Sequence, residues 1–185
     1  MPDVPDVTAL VDPAIAGRPE VGRTLHATTG TWDTAGLTFA FQWLRDGADI
    51  GGATGSSYRT GRDDVGSRLA VRVTATKPEA TDGTATSAGT EPVRKASARI
   101  RLGARTGSGR QVRVRIAVRS PSTHVEGRVV LRVDGRTVRK AQVSGKPVKL
   151  RIRLHRDTTH RLRAIFRGSP TVESARSKSV RVHRR

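Results

Sequence analysis

Apolar and polar residues alternate through most of this chain, with the period of a β-strand. Phe39, Phe41 and Trp43 fall on one face of residues 39–45, and Arg45-Asp46-Gly47 follows as a turn signal. Leu69, Val71, Val73 and Ala75 alternate as clearly, so residues 69–75 read as the partner of the Trp43 strand. Upstream, residues 14–17 read as a short first strand. Residues 24–28 read as a second, with Leu25 and Ala27 inward and Thr31-Trp32 closing it. Ile50 marks a short return strand, residues 57–60 the next, and residues 84–88 the last. Between them, Asp63-Asp64-Val65-Gly66 reads as a corner, because Asp bonds local backbone and Gly permits positive φ. Residues 1–12 show no periodicity and read as an extended lead-in.

The second half keeps the alternation and changes its polar partner to arginine. Val112, Val114, Ile116 and Val118 alternate with Arg113, Arg115, Ala117 and Arg119. Val148, Leu150, Ile152 and Leu154 alternate with Lys149, Arg151 and Arg153. Residues 98–102, 128–133, 137–143, 161–167 and 179–183 read as further strands, with Asp134-Gly135 as a hairpin turn. No window shows helical periodicity of comparable quality. Seven short strands per half, separated by turn signals, imply an all-β fold of two tandem immunoglobulin-like β-sandwiches. The domains fall at residues 13–93 and 98–185, with residues 94–97 as linker. Trp43, the largest apolar side chain of its strand, belongs at the centre of the first core.

Charge separates the two halves more sharply than hydropathy does. Residues 1–95 hold 10 Lys+Arg and 12 Asp+Glu, a net of −2. Residues 96–185 hold 25 and 4, a net of +21. Such asymmetry points to two units with different surface chemistry. Aromatics make up 3% of the chain, so the cores must rely on Val, Leu, Ile and Ala. The lack of cysteine removes disulfides, thiol nucleophiles and thiolate metal sites together. No apolar run approaches the roughly 18 residues of a membrane span. The N-terminus has neither the basic region nor the apolar run of a signal peptide, which suits a cytosolic protein or a mature region of an exported one.

Several motifs carry a family likeness. Gly30-Thr31-Trp32, Phe41-Gln42-Trp43-Leu44-Arg45-Asp46-Gly47, Ile50-Gly51-Gly52-Ala53-Thr54, Tyr58 and the run from Asp64 to Ala75 occur in that order. Together they resemble the immunoglobulin-like repeats of secreted and cell-surface proteins of actinobacteria, over residues 13–93. In the second half, Gly127-Arg128-Val129-Val130-Leu131-Arg132-Val133-Asp134-Gly135 and the later Arg161-Leu162-Arg163-Ala164-Ile165-Phe166-Arg167-Gly168 resemble another bacterial repeat of that kind. The likeness implies disulfide-free sandwiches used as spacers or interaction modules, extracellular or at the cell surface. It places Leu25 and Val73 about where immunoglobulin domains proper carry paired cysteines. It supplies no catalytic residues.

Immunoglobulin-like pairing turns the arginine pattern into a surface. The first, second and fifth strands of the basic domain then share a sheet. Its outer face shows Arg99, Arg101, Arg113, Arg115, Lys149, Arg151 and Arg153. The other sheet shows Arg128, Arg132, Arg161, Arg163 and Arg181. Like charges opposite one another on neighbouring strands repel, and a polyanion relieves them by counterion release. The first face is therefore the candidate contact for an anionic polymer such as teichoic acid, an acidic glycan or nucleic acid, or for an acidic protein surface. The opposing reading is a solvated strand face rich in arginine by composition.

Other chemistry has weaker support. His155 and His160 flank a turn without a third zinc ligand, and Asp63-Asp64 suits a corner better than calcium. Ser56, Ser57 and Ser108 lack nucleophile-elbow spacing. Gly103 to Gly109 opens no helix and reads as a hairpin loop rather than a phosphate cradle. Trp32 suits the end of the sandwich better than a sugar platform. No catalytic, cofactor or metal site is expected. The pattern suits a non-enzymatic spacer with a cationic terminal module. The alternatives are a sequence-independent nucleic-acid clamp, a structural part of an appendage or phage particle, and an accessory domain of an enzyme.

Overall fold

In the computed structural model, residues 6–107, 110–155 and 158–184 are described. Every regular element among them is a β-strand. Residues 1–94 and 95–185 form two compact units.

The first unit contains β1 (Ala9–Val11), β2 (Ile15–Ala16), β3 (Thr24–Ala27), β4 (Thr31–Trp32), β5 (Thr38–Arg45), β6 (Ala48–Asp49), β7 (Ser57–Arg59), β8 (Leu69–Thr76) and β9 (Gly83–Thr86). One sheet runs β2-β3-β7, the other β6-β5-β8-β9, and β1 pairs with β4 as a separate ribbon. Trp43 on β5 lies opposite Val71 on β8 and is fully buried. Its indole Nε1 donates to the Gly55 carbonyl at 2.9 Å, and its ring packs against Tyr58 of the facing sheet with centroids 5.6 Å apart. The core is completed by Leu25, Leu69, Val73 and Ala75, none of them exposed.

The second unit repeats that plan with longer strands. It contains β10 (Arg99–Thr106), β11 (Gln111–Arg119), β12 (Glu126–Val133), β13 (Arg136–Ser144), β14 (Val148–Arg153), β15 (Thr158–Phe166), β16 (Ala175–Arg176) and β17 (Val180–Arg184). Its sheets are β10-β11-β14 and β13-β12-β15, with β16 and β17 both pairing to β15. With the β1–β4 ribbon set aside, both units place their first, second and fifth strands in one sheet and the remainder in the other. That is immunoglobulin-like sandwich topology. The inward positions Val112, Val114, Ile116, Leu131, Leu162 and Phe166 are all buried.

Two polar devices recur at matching places. In each Asp-Gly hairpin the Asp has positive φ (48° at Asp46, 47° at Asp134). Its carboxylate accepts the backbone N–H of Arg68 or Arg161, at 2.8 Å in both units. The Asp N–H donates back to the same residue's carbonyl at 2.9 Å. The hairpin is thus latched to the neighbouring strand. In the last strand region, buried Ser87 and Ser177 accept the N–H of Val71 and Ala164 through Oγ at 3.0 Å. Each hydroxyl then donates to the carbonyl of the following residue.

The structure departs from the sequence reading in four places. The lead-in over residues 1–12 is built into the first unit from Asp6 onward. Asp6 bridges Thr81, Val7 is buried, and Thr8 N–H donates to Asp33 Oδ1 at 3.0 Å. Thr31-Trp32 does not continue β3; it turns away and pairs with β1. Gly30 permits this, with φ 75° and so close to the Val11 carbonyl that a Cβ would collide with it. Trp32 is buried, donates to the Thr29 carbonyl at 2.9 Å and lies against Phe39, so it offers no sugar platform. Gly103 lies inside β10, which continues to Thr106, rather than in the hairpin loop. At the division between units, Arg94 N–H bonds the Pro19 carbonyl and Ala96 N–H bonds the Thr171 carbonyl, so residues 94–97 are tied at both ends to their own unit.

Candidate polyanion interface

The β10-β11-β14 sheet is built by strict alternation. Apolar side chains at even-numbered positions of β11 fill the core, which forces the odd-numbered positions into solvent. The register then fixes the neighbours. Arg99 lies opposite Arg119, and Arg105 opposite Arg113. Arg113 lies opposite Arg151, Arg115 opposite Lys149, and Gln111 opposite Arg153. All seven candidate residues therefore share one exposed face.

Two more arginines join that face. Arg105 sits beyond Gly103, whose apparent loop character hid it, although Ile100, Leu102 and Ala104 continue the inward alternation. Arg119 ends the alternation of β11 and meets Arg99. Gly103 faces Arg115 with open space where a side chain would stand, leaving a notch in the row of cations.

None of these nine cations has a carboxylate partner among the described residues. The ion pairs found in the second unit involve histidine, His124 with Glu126 and His160 with Asp134. The first unit differs. There Arg45, Arg72 and Arg23 pair with Asp64, Asp49 and Glu20, at 2.7, 2.8 and 3.9 Å. Three arginines of the first unit are thus matched to acid, whereas the cations of this face have no such partner among the described residues.

The opposite sheet is basic in a different shape. Arg132 lies opposite Arg163, and Arg161 opposite Arg181. Arg128 shares the face, but Val130 and Ile165 interrupt it. Arg132, Arg161 and Arg163 line a groove of about 400 Å³ with Asp134 and Gly135. Asp134 lies in that groove as an ionised carboxylate held in place by hydrogen bonds. The Arg161 N–H, and after it His160 Nδ1 at 2.6 Å, hold its carboxyl below the usual range. At the sandwich edge a second cleft of about 420 Å³ is lined by Arg139, Arg151 and Arg153 over Val138 and Ile152.

The remaining candidate chemistry is occupied elsewhere. His160 is committed to Asp134 and Thr158. Asp64 is fully buried and bonded to Arg45, Tyr58 and the Gly61 N–H. Among the described residues, no three His, Asp or Glu side chains converge as a metal site would need. No helix there is long and apolar enough to cross a membrane.

No protein-family model matches the chain, and no curated protein matches it. Solved structures are similar in shape. The fibronectin(III)-like modules of Clostridium thermocellum CbhA are 12% identical over 94% of this chain and 94% of that one, with a TM-score of 0.41. The amphioxus IgVJ-C2 molecule is 9% identical over 89% and 98%, with a TM-score of 0.38. The chicken CNTN1 FN1-FN3 domains are 11% identical over 98% and 65%, with a TM-score of 0.37. The immunoglobulin-like assignment rests on the strand pairing described above, which both units share.

Proposed function

We propose that this chain is a non-catalytic extracellular module. Its near-neutral first unit serves as a spacer, and its second unit holds an anionic polymer by charge. The observation that carries this reading is the nine-cation face of β10, β11 and β14, which lacks carboxylate partners among the described residues. Such a face costs repulsion between strands, and a polyanion laid across it turns that cost into affinity.

The aromatic inventory narrows the polymer. The second unit's one aromatic residue is Phe166, which is fully buried. The basic faces therefore carry no Phe, Tyr or Trp ring to stack on a base or on a sugar. Recognition falls to guanidinium groups, which take phosphate oxygens in pairs. A flexible polyol phosphate of the teichoic acid type suits this best, because its phosphates are its main recognisable feature.

The test is binding of the full chain to poly(glycerol phosphate), heparin and duplex DNA across a salt series. Retention of poly(glycerol phosphate) at about 0.15 M salt, where screening acts over roughly 8 Å, is the expected result. Arg115→Glu with Arg151→Glu should weaken it at least tenfold. Stronger retention of duplex DNA than of the polyol phosphate would move the reading to a nucleic-acid clamp. Equal, weak retention of all three, gone at that salt, would overturn the reading and leave a solvated sandwich.

A further inference from the structure

We infer that the second unit binds two polyanion chains at once, one on each sheet, and so cross-links them; this rests on the reading above. The second basic face carries the inference. Arg132, Arg161, Arg163 and Arg181 point outward from β12, β15 and β17, while Leu131, Leu162, Ala164 and Val182 on the same strands point inward and are buried. The same alternation on β11 sends Arg113 and Arg115 the other way from Val112, Val114 and Ile116. The two sets of cations are therefore on opposite outer surfaces of one sandwich.

Distance makes the two faces independent. Packed sheets lie about 10 Å apart, and arginine side chains extend outward from both. That separation exceeds the screening length of about 8 Å at physiological salt. A polymer neutralising the first face leaves the charge of the second almost untouched, and a second chain is drawn to it. Asp134 is outnumbered there: three arginines line the groove with that one carboxylate, so the face keeps a net positive charge. Arg163 lines the groove and donates to Ser179 Oγ at 3.0 Å.

The faces also differ in shape. The first is broad and nearly continuous, suited to a run of phosphates. The second is concave, with cross-strand arginine pairs at Arg132–Arg163 and Arg161–Arg181. It suits a shorter run held at fewer points, so the second chain should bind more weakly than the first.

The experiment uses the full chain and two polymer samples. Poly(glycerol phosphate) is fixed to beads, and a fluorescent sample of the same polymer is added with or without protein. Direct binding is read in parallel by calorimetry with an oligomer of about six phosphates. The wild type should recruit the fluorescent polymer to the beads and bind two oligomers per chain. Arg115→Glu with Arg151→Glu disables the first face, and Arg161→Glu with Arg163→Glu the second. In every case the new carboxylate lies opposite a cation, which favours retention of the fold. Each double variant should bind one oligomer per chain and lose bead recruitment at least tenfold. Sedimentation of the protein alone should show one species, so that self-association is not the source of bridging. If the second-face variant leaves stoichiometry and recruitment unchanged, bridging is overturned while the first face stands. One oligomer per wild-type chain without recruitment, as wrapping by a single polymer would give, also overturns it. If the wild type binds no polyol phosphate at all, the functional reading itself falls.

Discussion

Asp64 shows how one side chain can hold a whole corner. It is fully buried and accepts from Arg45 Nε at 2.8 Å, Arg45 Nη2 at 2.7 Å, Tyr58 Oη at 3.1 Å and Gly61 N–H at 2.6 Å. Removing one member of a buried ion pair strands the other. Asp64→Asn should therefore cost the first unit about 3 kcal/mol, read by urea unfolding, with the second unit's transition unmoved. The Asp-Gly hairpins make a milder, pH-dependent prediction. The carboxyls of Asp46 and Asp134 are held below the usual range, Asp46 by Ser67 and then the Arg68 N–H, Asp134 by the Arg161 N–H and then His160. A lowered folded pKa means the contribution is complete above the ordinary Asp value of about 3.9. It is lost as pH falls through the lowered one. Asp46→Asn and Asp134→Asn should each lower the melting temperature at pH 7 and match the parent near pH 2. Much of this was written in the sequence. The Asp-Gly turns and the Asp63-Asp64 corner are local signals, set by backbone chemistry within four residues. The partners were not legible. Arg45 is 19 residues from Asp64, and Arg161 is 27 from Asp134.

Strands were legible wherever one face is buried over six or more residues, because burial then imposes the alternation. β5, β8, β11 and β14 were read on that ground. β1 was not. It is three residues long and exposed in part, and its place depends on close approach rather than on periodicity. Gly83 stands so near the Val7 carbonyl and the Trp32 ring that any Cβ would strike both. Nothing in the local sequence marks Gly83 for that purpose. The register of the basic sheet was legible in kind but not in detail. Its consequence is testable. Arg113 has Arg105 on one side and Arg151 on the other. A carboxylate there converts two repulsive neighbours into two attractive ones, and each such pair is worth roughly 0.2–1 kcal/mol. Arg113→Glu should raise the second unit's melting temperature by about 2–6 °C in low salt. The gain should shrink above about 0.3 M salt, as screening removes both the old repulsion and the new attraction. A fall in melting temperature at low salt would show that the Arg113 guanidinium contributes packing that outweighs its charge.

Two sandwiches of one topology divide the charge of the chain between them, and that division should be visible in how the molecule melts. The first unit pairs three of its arginines with acids, whereas among the described residues no arginine of the second unit has a carboxylate partner. Self-repulsion therefore weighs on the second unit alone. Calorimetry of the full chain should show the second unit's transition rising by several degrees between about 0.01 and 0.3 M salt, while the first unit's stays nearly fixed. The charge imbalance itself was plain from counting residues, which needs no structure. Its lack of local compensation was not, because that depends on which acids fold beside which bases. The same uncompensated charge sets the salt dependence of binding. For a flexible phosphate polymer the slope of log K against log salt is about −0.7 per phosphate neutralised. Arg115→Glu with Arg151→Glu removes at least two contacts, so the slope should become shallower by about 1.4 or more. Titrations at five salt concentrations measure it. A lower affinity with an unchanged slope would place those two arginines outside the contact and move the polymer's path toward Arg99, Arg101 and Arg105 of β10, at the other edge of the sheet.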